Sequence, residues 1–129
     1  RAATLAATLA TIGERVELTA TLAWRVPRTR PDAREARDGR AYLAARATRE
    51  REQREAEQVV ARLIEQLPCE RAFVRQRICP REGIAAIVAV LSTRDEVELV
   101  RRDLTAFADR SSEVSAAVYG PFPPYSFTS

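Results

Sequence analysis

Residues 83–92 read Gly-Ile-Ala-Ala-Ile-Val-Ala-Val-Leu-Ser, an apolar run without a single charge. A run of this length and β-branched content favours a buried strand over a helix. Both of its alternating faces are uncharged: one carries Ile84, Ala86, Val88 and Val90, and the other carries Ala85, Ile87, Ala89 and Leu91. We therefore expect the central strand of a sheet that is covered on both sides, in which Ile87→Asp would unfold the domain.

The length and composition indicate one globular domain. The chain has 129 residues, of which 46% are hydrophobic and 30% are charged, as is typical of a soluble protein with its own core. The longest apolar run is much shorter than the about 20 residues that cross a bilayer, and the N-terminus shows no signal peptide. We therefore predict no membrane partner. Because the chain contains no Met, we expect it to be a fragment whose N-terminal part is missing.

The charge pattern gives little support for nucleic-acid binding. All 21 basic residues are arginine, and 18 interleaved acidic residues leave a net charge of +3. The arginine-rich segment 27–38 is predicted to be a loop that could grip phosphate, but it holds no aromatic residue to stack on a base. We therefore interpret the arginine content as compositional bias and predict no nucleic-acid partner.

The two cysteines are predicted to be free thiols. Cys69 and Cys79 would lie near the two ends of one strand about 30 Å long, which is too far apart for a disulfide. Free thiols are typical of proteins in the cytoplasm, where we expect this protein to be.

Two further strands are predicted around the apolar run. Residues 14–26 alternate between apolar and polar, as in a half-buried strand, and we interpret Trp24 as a core residue rather than a binding platform. Residues 71–79 form a strand with three arginines on one side, namely Arg71, Arg75 and Arg77. These arginines either protect a sheet edge from further pairing or bind an anion, and the edge interpretation is preferred.

A long helix is predicted from Asp38 or Gly39 to Leu67. Asp38 is a suitable N-cap, and a strong apolar stripe follows near the end of the helix: Val59, Val60, Leu63, Ile64 and Leu67. The helix would be about 43 Å long, whereas the strands beneath it are nearer 30 Å, so one end must extend beyond the sheet. Tyr42 and Leu43 lie at that free end and would need another surface, unless the helix kinks and Tyr42 folds back.

The last part of the chain predicts a second helix and a fourth strand. The helix begins at a capping box, Thr93-x-x-Glu96, and continues to about residue 109, and residues 114–118 alternate as a strand. The element order βαββαβ predicts an α+β, ferredoxin-like antiparallel sheet with the first and third strands in the centre. This domain would span residues 13–120, after the end of an upstream helix or linker at 1–12 and before a proline-rich aromatic tail at 121–129. We expect the second face of the sheet to be covered by a missing part of the chain or by another protein.

The tail reads Gly-Pro-Phe-Pro-Pro-Tyr-Ser-Phe-Thr-Ser from residue 120. Its prolines favour an extended backbone from which Phe122, Tyr125 and Phe127 project. The tail would either lie across its own sheet as a clamp, which is the simpler interpretation, or be offered to a partner as an aromatic peptide.

This tail resembles the C-terminal signature of the GvpL/GvpF family of gas vesicle proteins, whose last strand ends in Gly-Pro-aromatic-Pro-Pro-Tyr-Ser-Phe. The match runs from Gly120 to Phe127, and the order of the other elements also agrees. The resemblance implies the C-terminal part of a non-enzymatic, minor gas vesicle component that acts early in assembly. Its implied partners are the small hydrophobic shell protein and other accessory gas vesicle proteins, and its implied location is the gas vesicle.

The residues suggest no chemistry of their own. Without His there is no Ser-His-Asp or Cys-His arrangement, and no cysteine cluster has zinc spacing. We therefore predict no catalytic, cofactor or metal site, and no enzyme. The leading hypothesis is an assembly protein whose contact residues are Tyr42, Leu43, Phe122, Tyr125 and Phe127. The alternative is a ferredoxin-like module that binds a small ligand or anion through Arg71, Arg75 and Arg77.

Overall fold

The computed structural model describes residues 15–28 and 38–128. It contains four strands, β1 (Arg15–Trp24), β2 (Val74–Arg81), β3 (Ile84–Thr93) and β4 (Val114–Phe122). The structure also has two long helices, α1 (Gly39–Gln66) and α2 (Val97–Arg110), two 3₁₀ turns (Arg71–Phe73 and Arg94–Glu96) and a short C-terminal helical turn (Tyr125–Thr128). The helix predicted within residues 1–12 and most of the loop predicted at 27–38 lie outside the described residues.

The four strands form one antiparallel sheet in the order β2-β3-β1-β4. Strands β1 and β3 are therefore central and β2 and β4 are at the edges, as the ferredoxin-like plan requires. The fold class is α+β, as predicted. The 83–92 run is indeed a central strand. Residues 85–92 are all buried except Ile87, which is half-buried, and the strand's end residues Ile84 and Thr93 are also half-buried.

The core lies between the helices and one face of the sheet. The register pairs Leu18 with Val90 and Ala20 with Val88 across β1 and β3, and these apolar side chains pack with both helices. The helical members of this core cluster are Ala56, Val59, Val60, Leu63, Val97, Val100, Leu104 and Phe107. Burying each large side chain is worth about 1.5–3 kcal/mol. Trp24 is buried in the same cluster, which confirms its interpretation as a core residue.

The opposite face of the sheet carries the residues that alternate with the core. The register places Glu17 beside Leu91, Thr19 beside Ala89 and Thr21 beside Ile87, and we call this surface the outer face. The C-terminal turn of the same chain covers one end of it, since Ser126 bonds to Glu17. We expected this cover to come from a missing segment or another protein, so that expectation was incomplete: part of the cover is the chain's own tail.

The predicted strand at 71–79 is shifted in the structure. Residues Arg71–Phe73 form a 3₁₀ turn, and β2 begins only at Val74 and continues through Pro80 to Arg81. Proline is tolerated there because β2 is an edge strand and need not donate every backbone hydrogen bond. The hairpin then turns at Gly83, whose φ of 83° suits glycine.

The start of α2 also differs from the predicted capping box. Residues Arg94–Glu96 form a 3₁₀ turn ahead of the helix, and the N-cap residues Thr93 and Glu96 make no side-chain capping hydrogen bond. The chain therefore enters α2 through a tight turn instead of through reciprocal side-chain caps.

Candidate protein-binding surfaces

The first candidate surface is the N-terminal end of α1. Asp38 caps this end, because its Oδ1 accepts a hydrogen bond of 2.8 Å from the backbone N–H of Ala41. One turn later, Tyr42 is 43% exposed and Leu43 is 64% exposed. The predicted N-cap is thus confirmed, and two large apolar side chains stand in solvent directly behind it.

The helix packs on the sheet well away from this end. Its members of the main core cluster begin at Ala56, although Ala45 and Glu52 before it are also buried. The helix meets the end of β2 where Arg49, Glu52 and Gln53 line a cavity of about 370 Å³ with Ile78 and Cys79. Tyr42 lies seven residues before Arg49, which corresponds to about 10 Å along the helix axis. Tyr42 and Leu43 therefore lie on the exposed side of a helix end that precedes the main core cluster, while Ala45 on the other side of the same turn is buried.

The middle of α1 is tied to the end of β1 by Arg28. The guanidinium of Arg28 lies 3.8 Å from the centroid of the Trp24 ring and also forms an ion pair with Glu55. A second ion pair, Arg46 with Glu50 at 3.4 Å, lies on the exposed side of the helix. Exposed pairs of this kind contribute at most about 1 kcal/mol, so the charged stretch of α1 serves mainly to keep that side of the helix in water.

The second candidate surface is the tail. Strand β4 extends to Phe122, two residues further than the boundary predicted between domain and tail, and Phe122 is the register partner of Glu17. After Pro124 the chain turns instead of remaining extended, since the backbone N–H of Phe127 donates to the carbonyl of Pro124 at 3.1 Å. The predicted stiff ribbon is therefore replaced by a helical turn that folds onto the outer face.

The three predicted tail aromatics have different environments. Phe122 is 41% exposed and Tyr125 is 68% exposed, whereas Phe127 is half-buried beneath Arg75, whose guanidinium lies 4.9 Å from its ring centroid. Phe127 thus acts as the clamp, while Phe122 and Tyr125 face solvent. The clamp interpretation therefore fits Phe127, and the role of Phe122 and Tyr125 as partner contacts stays a prediction.

One exposed aromatic was missed in the sequence. Tyr119 is 54% exposed and is the register partner of Thr19, so it lies on the outer face two rows from the Phe122 pair. The alternation of residues 114–119 would have predicted this exposure, because it puts Tyr119 on the side of the strand opposite to Val114 and Val118. Phe122, Tyr119 and Tyr125 form what we call the aromatic edge.

The structure does not bring the two predicted groups of contact residues together. Tyr42 and Leu43 belong to a helix on the core side of the sheet, and the aromatic edge belongs to the outer face and its β4 border. A single small partner would therefore contact one group or the other.

The alternative anion site does not form the predicted row of three arginines. Arg71 is in the 3₁₀ turn, and only Arg75 and Arg77 share the outer face of β2. These two border a cavity of about 280 Å³ together with Thr19, Gln76, Ile87, Ala89 and Ser126. Because Arg75 already stacks on Phe127, part of its surface is committed to holding the tail.

Neither cysteine forms a disulfide, as predicted, and both are half-buried against the core. They do not mark the two ends of one strand, because Cys69 precedes β2 and Cys79 lies at an irregular position within it. Burial raises the pKa of the Cys69 thiol, the negative charge of Glu96 raises it further, and Arg15 opposes these effects.

Within residues 15–28 and 38–128, no group of acidic and cysteine side chains has the arrangement of a metal site. None of the described helices is long and apolar enough to cross a membrane.

Comparisons with known proteins point to one family. The family described as "Gas vesicle synthesis protein GvpL/GvpF" matches residues 1–129. The crystal structure of the gas vesicle protein GvpF from Anabaena sp. PCC7120 superposes with a TM-score of 0.68 at 11% sequence identity. The superposition covers 99% of this chain and 59% of the GvpF chain, so this chain spans little more than half the length of that protein. A comparison with curated proteins gives no match.

Proposed function

Because this chain belongs to the gas vesicle synthesis protein GvpL/GvpF family, we propose that it is a minor gas vesicle component or assembly factor. In this proposal it acts by protein–protein contacts with the gas vesicle shell protein and with other accessory proteins, in the cytoplasm and at the gas vesicle. The proposal includes no enzymatic step.

The observation that carries the proposal is the exposed pair Tyr42 and Leu43 at the N-terminal end of α1. Consecutive helix residues point about 100° apart, so Tyr42 and Leu43 together give the helix end a broad apolar surface, and tyrosine is a residue type that contributes strongly to protein interfaces. Since the body of α1 is anchored on the sheet through Ala56, Val59 and Leu63, this contact is presented on a rigid element. Rigid presentation lowers the ordering cost of binding.

The mechanism we propose is chaperone-like. Apolar surface on the assembly protein would cover apolar surface of a shell subunit until that subunit joins the growing wall. Burying an apolar side chain at such a contact contributes about 25 cal/mol per Å², and exchange for the wall is favoured when the wall buries more area than the chaperone does. The aromatic edge offers a second apolar contact for the same partner or for another accessory protein.

The test is a pull-down of the shell protein by the full-length chain. The wild-type protein should retain the shell protein, and Tyr42→Asp should weaken retention. Ala47→Asp, at an exposed position of the same helix, adds the same single negative charge, so it is the matched control and should have a smaller effect. Failure of the wild-type protein to bind under any buffer condition would remove the proposal.

The alternative function as a small-ligand or anion module is less well supported, because Arg71 is separate from the arginines of β2 and Arg75 holds Phe127. A thermal shift with nucleotides and phosphorylated metabolites would distinguish the two functions. A clear shift in melting temperature that Arg77→Ala abolishes would favour the alternative.

A further inference from the structure

The two edges of the sheet are protected very differently. Strand β2 reads Val-Arg-Gln-Arg-Ile-Cys-Pro-Arg, with three arginines and a proline, whereas β4 reads Val-Ser-Ala-Ala-Val-Tyr-Gly-Pro-Phe and contains no charge. Charges and prolines on an edge strand prevent another strand from adding to it. The β2 edge has this protection, and the β4 edge lacks it along residues 114–119.

The open edge of β4 is long enough to pair with another strand. In the part of the chain that the structure describes, β4 has a single neighbour in the sheet, β1. Residues 114–119 span about 20 Å, which is a normal strand length. At Gly120 this stretch ends, because the backbone there approaches Glu17 closely and the next residue is Pro121.

The side chains around this edge define the chemistry of an added strand. On the outer face the edge presents Ala117 and Tyr119, both exposed, followed by Phe122. On the core side it presents the half-buried Ala116 and Val118. A neighbouring strand would therefore place its side chains beside alanine, valine and aromatic rings on both faces, where a charged side chain would lose hydration without gaining a partner.

We propose that β4 is a docking edge for an extended, uncharged apolar segment of a partner protein, which adds to the sheet as a fifth strand. Backbone hydrogen bonds to residues 115–119 would supply affinity, since the Val114 N–H already donates to Ser111 Oγ, and the aromatic edge would select apolar side chains. This inference rests on the proposed function: the partner is the gas vesicle shell protein, and the inference specifies the part of it that is bound.

The C-terminal turn extends the docking edge. Ser126 is fixed to Glu17 by two hydrogen bonds, from its N–H at 2.9 Å and from its hydroxyl at 3.1 Å. Since Glu17 is also the register partner of Phe122, the neighbouring Tyr125 is held close to the end of β4. The tail thus contributes an exposed aromatic ring at the position where the added strand would pass the end of the edge.

The experiment measures backbone hydrogen exchange in the full-length chain, alone and bound to the gas vesicle shell protein of the same organism. Binding should slow exchange in residues 115–119 by about tenfold or more, which corresponds to about 1.4 kcal/mol. Exchange in β2 should not change. Binding with unchanged exchange in β4 would overturn the inference while leaving the proposed function intact, and no binding at all would overturn both.

Two matched variants provide an independent test. Ala117→Lys puts a charge on the open edge, and Gln76→Lys puts the same charge on the edge that already carries arginines. Ala117→Lys should weaken binding by about tenfold or more, while Gln76→Lys should change it by less than about twofold. Equal binding by both variants would contradict the inference. If Ala117→Lys fails to fold, the exchange experiment on the wild-type protein still tests whether β4 is the docking edge.

A second copy of the chain is the other occupant to test. If the free protein is a dimer in which β4 is already protected from exchange, and Ala117→Lys makes it monomeric, the edge pairs with itself. That result would overturn the proposal of a partner strand.

Discussion

The carboxylate of Glu17 on β1 accepts a hydrogen bond of 2.9 Å from the backbone N–H of Ser126, 109 residues further along the chain. Glu17 is only 4% exposed, and it also accepts hydrogen bonds from the hydroxyls of Ser126 and Thr19. A carboxylate in a mainly apolar sheet is costly unless it is hydrogen-bonded, so the tail and this acid stabilise each other. Together they close one end of the outer face.

We predict that Glu17→Ala releases the C-terminal turn. The substitution removes the acceptor for two donors of Ser126, and hydrogen bonds to charged groups contribute about 1.5–3 kcal/mol each in folded proteins. Proteolysis and hydrogen exchange in residues 123–128 should increase, and the melting temperature should fall. Ser126→Ala, which keeps the backbone hydrogen bond, should show a smaller effect, and an equal effect would contradict this account.

Gly120 should tolerate no side chain. A Cβ at this position would lie 2.7 Å from the backbone oxygen of Glu17, and the φ of 115° is one that other residues rarely adopt. We therefore expect Gly120→Ala to lower the free energy of unfolding by about 2 kcal/mol or more, measured by urea denaturation.

Two other glycines provide the controls for this prediction. Gly83 has a φ of 83° but open space around its Cβ position, so Gly83→Ala should cost only the about 1–2 kcal/mol of a left-handed backbone conformation. Gly39 begins α1 with open space and no positive φ, so Gly39→Ala should be neutral or slightly stabilising. Any other ranking of the three variants would show that the close approach to Glu17 is not the main reason why Gly120 is required.

The central features of the fold could be predicted from the sequence because each one follows from a local pattern. The uncharged run at 83–92 can be satisfied only in the middle of a covered sheet, and the Asp38 cap and the Val59–Leu63 stripe specify α1. The boundary errors occurred where local patterns compete with turns. Residues 71–73 alternate like a strand but form a 3₁₀ turn. Residues 93–96 match the capping-box pattern, but the Thr93 side chain makes no capping hydrogen bond.

The candidate surfaces were only partly predictable. The exposure of Tyr42 and Leu43 agrees with the expectation from the length of α1, but the burial of Ala45 in the same turn was not predicted. The separate environments of Phe127 and Tyr125 depend on Glu17, which is adjacent to them only in the folded chain. No pattern within residues 121–129 indicates which of the aromatic side chains would be held by a carboxylate and an arginine of distant strands.

Charged substitutions on the two faces of the central strand β3 should differ in how much they destabilise the protein. Val88 is fully buried on the core side, so Val88→Asp would bury a charge without a partner and should prevent folding. Ile87 is half-buried on the outer face, where Arg77 is its register partner. Ile87→Asp was expected from the sequence to unfold the domain, but the structure now predicts a smaller loss. Circular dichroism melts of the two variants would test this order, and equally severe unfolding would support the expectation from the sequence.

The Cys69 thiol should react slowly with alkylating reagents, and its ionisation should make the free energy of unfolding depend on pH in the alkaline range. Burial and the nearby Glu96 raise its pKa above the ordinary 9.0, so at pH 8 less thiolate is present than in a free thiol. In a Cys79→Ser background, alkylation by iodoacetamide should therefore be slower in the folded protein than in the urea-unfolded protein. As the pH rises above 9.0, the unfolded chain loses the Cys69 proton first, so the free energy of unfolding should fall until the folded thiol also ionises. Urea denaturation between about pH 8 and pH 10 would measure this fall. Cys69→Ser should remove that component, and an unchanged pH dependence in the variant would assign it to other groups.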